Sequence, residues 1–141
     1  MGHRLIQLGV SLFLIGLLVG LAVPFFAVPR LALSVHLLGL MQGLFLSVVG
    51  ILWPRLKFTR AIEAGAFWLL VYGCIAAWTS NLLGAIWGAD NQIVPIAAGA
   101  ARGSEIQEMI IVIGLRSGGL ALIAGTVLLL WGLRGANPES K

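Results

Sequence analysis

The chain has 141 residues, of which 60% are hydrophobic and only 10% charged, with a formal net charge of +4. A soluble domain of this length would carry roughly a quarter charged residues, so a water-solvated globule is excluded. The basic residues are scattered rather than clustered, which argues against a nucleic-acid surface, and the single cysteine, Cys74, can form no intrachain disulfide.

Crossing the hydrocarbon core takes about 20 apolar residues, and four runs meet that length. The first covers residues 5–28 and stops at Pro29-Arg30. It is too long for the apolar region of a signal peptide and is expected to stay in the protein. The second covers 31–52 and stops at Trp53-Pro54-Arg55. With almost no connection between them, these two form an antiparallel hairpin. The third covers about 64–86, and the fourth 109–133. Glu105 and Glu108 stand near the start of the fourth, where the helix dipole favours negative charge. The stretch from Trp87 to Glu108, with Asp90, Asn91, Gln92, Pro95 and Arg102, is the one loop long enough to fold over something. The fold class is therefore an all-α membrane protein, a single four-transmembrane-helix bundle.

Orientation follows from the basic residues. Arg4, Arg55, Lys57, Arg60, Arg134 and Lys141 fall on one side, against Arg30 and Arg102 on the other. This bias places both termini in the cytoplasm, in a multi-pass protein of the inner membrane. Trp53 and Trp131 near one interface and Trp87 near the other fit an aromatic belt.

Polar side chains within these runs need a reason, because hydrocarbon offers no water to offset their desolvation. Most are hydroxyls, which can bond back to their own helix. His36, Gln42, Asn81 and Arg116 differ, and counted by depth they fall within a slab about 9 Å thick in the outer half of the bundle. His36 reads either as a packing histidine bonded to a neighbouring helix or as a metal or haem ligand. Gly39 and Gly43 lie on its face of the helix and would leave a flat wall for a macrocycle. The same spacing is also the common helix-contact motif, and Gly16 and Gly20 repeat it with no histidine near them in sequence. Arg116, with no carboxylate inside the membrane, either snorkels towards Glu108 or binds an anion such as a haem propionate. Gln42 sits about 240° round the helix from His36 and flanks its face. Tyr72 reads as a buried phenol bonded to a carbonyl, or as a site residue.

At these residues the chain resembles the small four-helix membrane isomerases that comprise bacterial hydroxylaminobenzene mutases and styrene oxide isomerases. The resemblance runs through Pro29-Arg30, His36-Leu37, Gly39 to Gly43, Tyr72-Gly73, Pro95-Ile96-Ala97-Ala98-Gly99, Arg102-Gly103 and Gln107-Glu108, nearly the whole chain. It implies a haem b enzyme in which His36 ligates the iron. It implies a homotrimer with haem between neighbouring subunits, and ferric iron acting as a Lewis acid on a small aromatic substrate without net redox change. Family members usually carry Asn where this chain has Gln42. The epoxide isomerases carry Asp-Gly in place of Tyr72-Gly73 and a tyrosine one to two turns on, where residues 76–81 here have none. The mutases share Tyr-Gly but have Asn in place of Ala77. Tyr72-Gly73 and the long loop favour the mutase side, the conversion of an arylhydroxylamine to an aminophenol, with epoxide-to-aldehyde isomerisation as the other branch.

The expected site has Gln42, Tyr72 and Asn81 as catalytic residues. His36, Gly39, Gly43 and Arg116 hold the haem, and His36 is the iron ligand. Trp78 or Phe67 would stabilise developing positive charge. The rival readings are a non-catalytic haem-binding membrane protein and a small multidrug-type exporter; the latter normally places an acid within a helix, which none of the five here does.

Overall fold

The computed structural model describes residues 1–89 and 92–134, so Asp90, Asn91 and Lys141 of the sequence reading lie outside the described residues. Among the described residues, four helices are long and apolar enough to cross a membrane. They are α1 (Gly2–Ala22), α2 (Pro29–Leu52), α3 (Arg60–Trp87) and α5 (Glu105–Leu133); a single turn, α4 (Pro95–Ala98), lies in the loop before α5.

The helix ends follow local chemistry. The first helix stops well short of residue 28, because Pro24 lacks an N–H and turns residues 23–25 into a 3₁₀ turn. Pro29 then opens α2 at the first helical position, where its missing donor is harmless. The third helix starts four residues earlier than the apolar run, taking in Arg60 and Glu63, and ends on Gly88 in the left-handed conformation (φ 69°). The fourth span also starts four residues early, since Ser104 and Gln107 form a reciprocal capping box and Glu105 and Glu108 occupy the first turn. Apolar runs mark what lies in hydrocarbon, whereas caps mark where the helix begins, and the two differ by a turn.

Packing divides the bundle into two tight antiparallel pairs, α1 with α2 and α3 with α5, which meet chiefly along α2 and α3. Each pair closes on glycine. A Cβ added to Gly43 would lie 2.6 Å from the Gly9 carbonyl oxygen and 2.7 Å from the Phe13 nitrogen, and one added to Gly16 would lie 3.1 Å from Gly39. Across the other pair, a Cβ on Gly73 would meet the Gly118 carbonyl oxygen at 2.9 Å. Lipid is as apolar as leucine, so helix association here rests on close backbone approach, and small residues permit it. Gly39 and Gly43 are thus not an open wall: α1 fills the space that a macrocycle would need.

Larger side chains fill the seam between the pairs. At the end bearing the termini, Leu5, Leu46, Phe67, Leu70 and Trp53 pack together. Trp53 is buried, its indole N–H donating to Glu63 Oε1 at 2.8 Å, so it belongs to the core and not to an interfacial belt. Trp131 and Trp68 are exposed. At the opposite end Val28, Leu31, Ala32, Val35 and Ala85 form a second cluster, and Ala98 of the long loop is buried against it. The loop therefore folds over that end of the bundle.

Candidate functional site

His36 stands in the α1–α2 seam. Its Nδ1 is 2.8 Å from the Gly16 carbonyl oxygen, and a Cβ on Gly20 would strike the ring 2.5 Å from Nδ1. Gly16 and Gly20, distant from any histidine in sequence, are thus the residues that make room for this one. A carbonyl only accepts, so Nδ1 carries the proton, and in the neutral ring the lone pair resides on Nε2. That arrangement suits a metal ligand, whose second nitrogen is usually fixed by a carbonyl or carboxylate. Nε2 is thus the one ring nitrogen that could donate to a metal, while α1 occupies the face of α2 carrying Gly39 and Gly43. One turn on, the α3 residue Trp78 donates from its indole nitrogen to the Val35 carbonyl at 3.1 Å and packs against Gly39. Trp78 is the aromatic neighbour of the histidine's turn. Phe67, eleven residues earlier on α3 and about 16 Å along the axis, packs on Trp53 and Trp68 instead.

Gln42 faces away from α1. It is 7% exposed, and its amide oxygen is buried with no hydrogen-bond partner among the described residues. It lines a hollow of about 380 Å³ with Leu38, Cys74, Leu122 and Thr126, where α2 approaches α3 and α5. A buried amide oxygen without a partner costs about 1–3 kcal/mol, so this one calls for an account.

Tyr72 is half exposed rather than buried, and its partner is a hydroxyl and not a carbonyl: its Oη and Ser117 Oγ are 2.8 Å apart. Ser117 looks in sequence like any hydroxyl that bonds back to its own helix, and it does contact the Gly114 carbonyl at 3.4 Å. Gly73 packs on Gly118, and this contact sets the residue before each side by side. Both line a groove of about 430 Å³ on the outer face of α3 and α5. Asn81 donates to the Ala77 carbonyl of its own helix at 2.9 Å. Arg116 is exposed and has no hydrogen-bonded or ionic partner among the described residues. Glu108, its proposed snorkelling partner, is buried and accepts from the Gly103 N–H at 3.2 Å.

Within one chain, then, the expected site residues do not converge. His36 faces α1, Gln42 faces α3 and α5, Tyr72 lies on the outer face of the second pair, and Asn81 is turned to its own backbone. Trp78 ties α3 to Val35 and Cys74 lies across from Gln42, so His36 and Gln42 lie at the level of the middle of α3.

The family model described as styrene oxide isomerase matches residues 1–134. Hydroxylaminobenzene mutase HabB of Ectopseudomonas oleovorans is 43% identical over 136 residues, which cover 96% of this chain and 83% of that protein. Hydroxylaminobenzene mutase HabA of the same organism is 40% identical over 125 residues, 89% of this chain and 93% of the relative. No solved structure matches. The match along almost the whole length, through the histidine seam and the loop alike, means that this four-helix membrane protein is an isomerase and belongs to the styrene oxide isomerase family.

Proposed function

We propose that the chain is a haem-dependent isomerase of small aromatic substrates that converts an arylhydroxylamine to an aminophenol. The two mutase relatives support the substrate class. The observation that carries the haem reading is the bond from His36 Nδ1 to the Gly16 carbonyl, which leaves Nε2 as the ligating nitrogen. Haem b, when bound with ferric iron, supplies a Lewis acid for the substrate oxygen. Arg116, exposed on α5 without a partner among the described residues, is the group suited to a propionate.

The protein's own groups do the remaining work. Gln42 offers an amide whose oxygen lacks a partner among the described residues, and it orients the hydroxylamine by accepting a hydrogen bond from its N–H or O–H. Trp78 presents an aromatic face near the histidine's turn, where it stabilises a developing arenium-like charge. The Tyr72–Ser117 pair is a hydroxyl relay able to pass a proton between positions on the ring. Because His36 and Tyr72 lie on different pairs, a site containing both is completed by a second copy, and a homotrimer with haem between subunits is the assembly we infer. Turnover of phenylhydroxylamine to 2-aminophenol without added reductant, by protein showing a Soret band, is the test. A haem-bearing protein that forms no product would leave only a binding function.

Gln42 gives a discriminating variant. Gln42→Met removes the orphaned oxygen at similar volume, so the expected protein unfolds with about 1–2 kcal/mol more difficulty. It keeps its haem, and its turnover falls at least about tenfold. Gln42→Asn retains activity. Unchanged turnover in Gln42→Met would remove Gln42 from the mechanism.

The inner membrane, with both termini cytoplasmic, is the location we infer from Arg4, Arg55, Lys57, Arg60 and Arg134 at one end of the helices. A reporter fused after Lys141 is expected to read cytoplasmic, and one inserted near Ala100 external. The reverse pattern would invert the topology.

A further inference from the structure

The two helix pairs leave a trough between α1 and α3. Two cavities lie in it end to end and share Leu8, Ser11, Val71 and Ile75 in their walls. One reaches Trp78 and Ile15; the other opens at Arg4 and Gln7, beside Trp68. Leu12 and Leu46 line the deeper part. From Arg4 to Ile15 is eleven residues of helix, about 16 Å. That is half the roughly 30 Å hydrocarbon thickness, so the trough runs from one interface to the midplane and no further. Its depth is that of a single leaflet.

The mouth is basic. Arg4 has no anionic partner among the described residues, and Arg55, Lys57, Arg60 and Arg134 lie at the same end of the bundle. Trp68 is exposed beside it, as an aromatic at the headgroup level would be. Charge at the mouth and apolar walls one leaflet deep match a single molecular shape. We propose that this trough binds one acyl chain of an anionic phospholipid, with the lipid phosphate on Arg4. An arene with one polar group would fill only a fraction of such a length. The proposal does not rest on haem or on the reaction.

The test uses the purified full chain in mild non-ionic detergent, with native mass spectrometry of retained lipid. Phosphatidylglycerol and phosphatidylcholine with identical acyl chains are the probes. Phosphatidylglycerol is expected to bind about fivefold more tightly, the value of one basic residue at a membrane surface. Arg4→Gln should erase that preference, Arg4→Lys should keep it, and Arg134→Gln, away from the trough, should leave it intact. Ser11→Phe fills the trough from an exposed position and should lower retention of both lipids. Equal binding of the two lipids by the unaltered chain, or a preference surviving Arg4→Gln, would overturn the proposal. So would displacement of the lipid by inorganic phosphate, which would make the phosphate alone the ligand. A Ser11→Phe protein that loses an oligomeric contact while keeping its lipid would instead assign the trough to a second copy.

Discussion

His36→Ala is expected to abolish the Soret band and to lower phenylhydroxylamine turnover by more than the roughly 100-fold that loss of an outer-sphere partner brings. The helices should still insert, since insertion depends on the apolar runs around position 36 and not on the imidazole. Alanine also removes the hydrogen bond to the Gly16 carbonyl, worth about 1 kcal/mol in a membrane interior. Lost packing alone could therefore soften the α1–α2 seam, and a second variant separates the effects. His36→Gln keeps a side-chain donor able to reach a carbonyl but offers no imidazole. If His36 only braces the helices, the glutamine protein recovers both stability and spectrum. If it ligates iron, stability recovers and the spectrum does not. An unchanged Soret band in His36→Ala would end the ligand assignment.

The second large effect lies at Gly43. A leucine there places its Cβ 2.6 Å from the Gly9 carbonyl oxygen and 2.7 Å from the Phe13 nitrogen. Both obstacles are backbone, so no rotamer change relieves them and the hairpin must part. The expected loss is about 3 kcal/mol or more, the upper range for an overpacked core, read as earlier unfolding in a denaturing-detergent titration. Gly119→Leu is the matched control: nothing lies within 4 Å of a Cβ at that position, and stability should be unaltered. If Gly43 walled a cofactor, the other reading its spacing from His36 allows, Gly43→Leu would instead shift the Soret band at ordinary stability. That outcome would overturn the packing assignment.

These two residues also show what was legible in advance. Four spans could be read because hydrocarbon demands about 20 apolar residues each, and no other arrangement of this composition satisfies its backbone in lipid. His36 was legible because an imidazole in an apolar run is conspicuous. Its partner was not, because Gly16 contributes a carbonyl, and every residue has one. The role of Gly39 and Gly43 was ambiguous for a related reason. A glycine records that something comes close, without recording whether it is a helix or a ligand. Depth could be counted along each helix, which is how His36, Gln42, Asn81 and Arg116 were assigned to one slab. Facing could not, since rotation about each axis is settled by which neighbour packs where. That is why Asn81 turns to the carbonyl of Ala77 on its own helix, and Tyr72 to the hydroxyl of Ser117. Family resemblance added the histidine's expected role, and the relatives then confirmed the family itself.

The glycine seams have a further consequence for how such a small chain can hold chemistry. Backbones in contact gain dispersion along their whole length and bring Cα–H groups near facing carbonyls, and neither contribution draws on a polar side chain. Cohesion is thereby assigned to the residues with the least chemistry in them. In many bundles within lipid, amides and hydroxyls are the fasteners between helices. Here Gln42 can leave an oxygen unused and Arg116 can stand exposed without the pairs coming apart. A framework joined mainly by close backbone approach, with side-chain hydrogen bonds between helices from His36, Trp78 and Tyr72, leaves Gln42 and Arg116 outside its fastenings, so a change at either need not disturb the helix pairs.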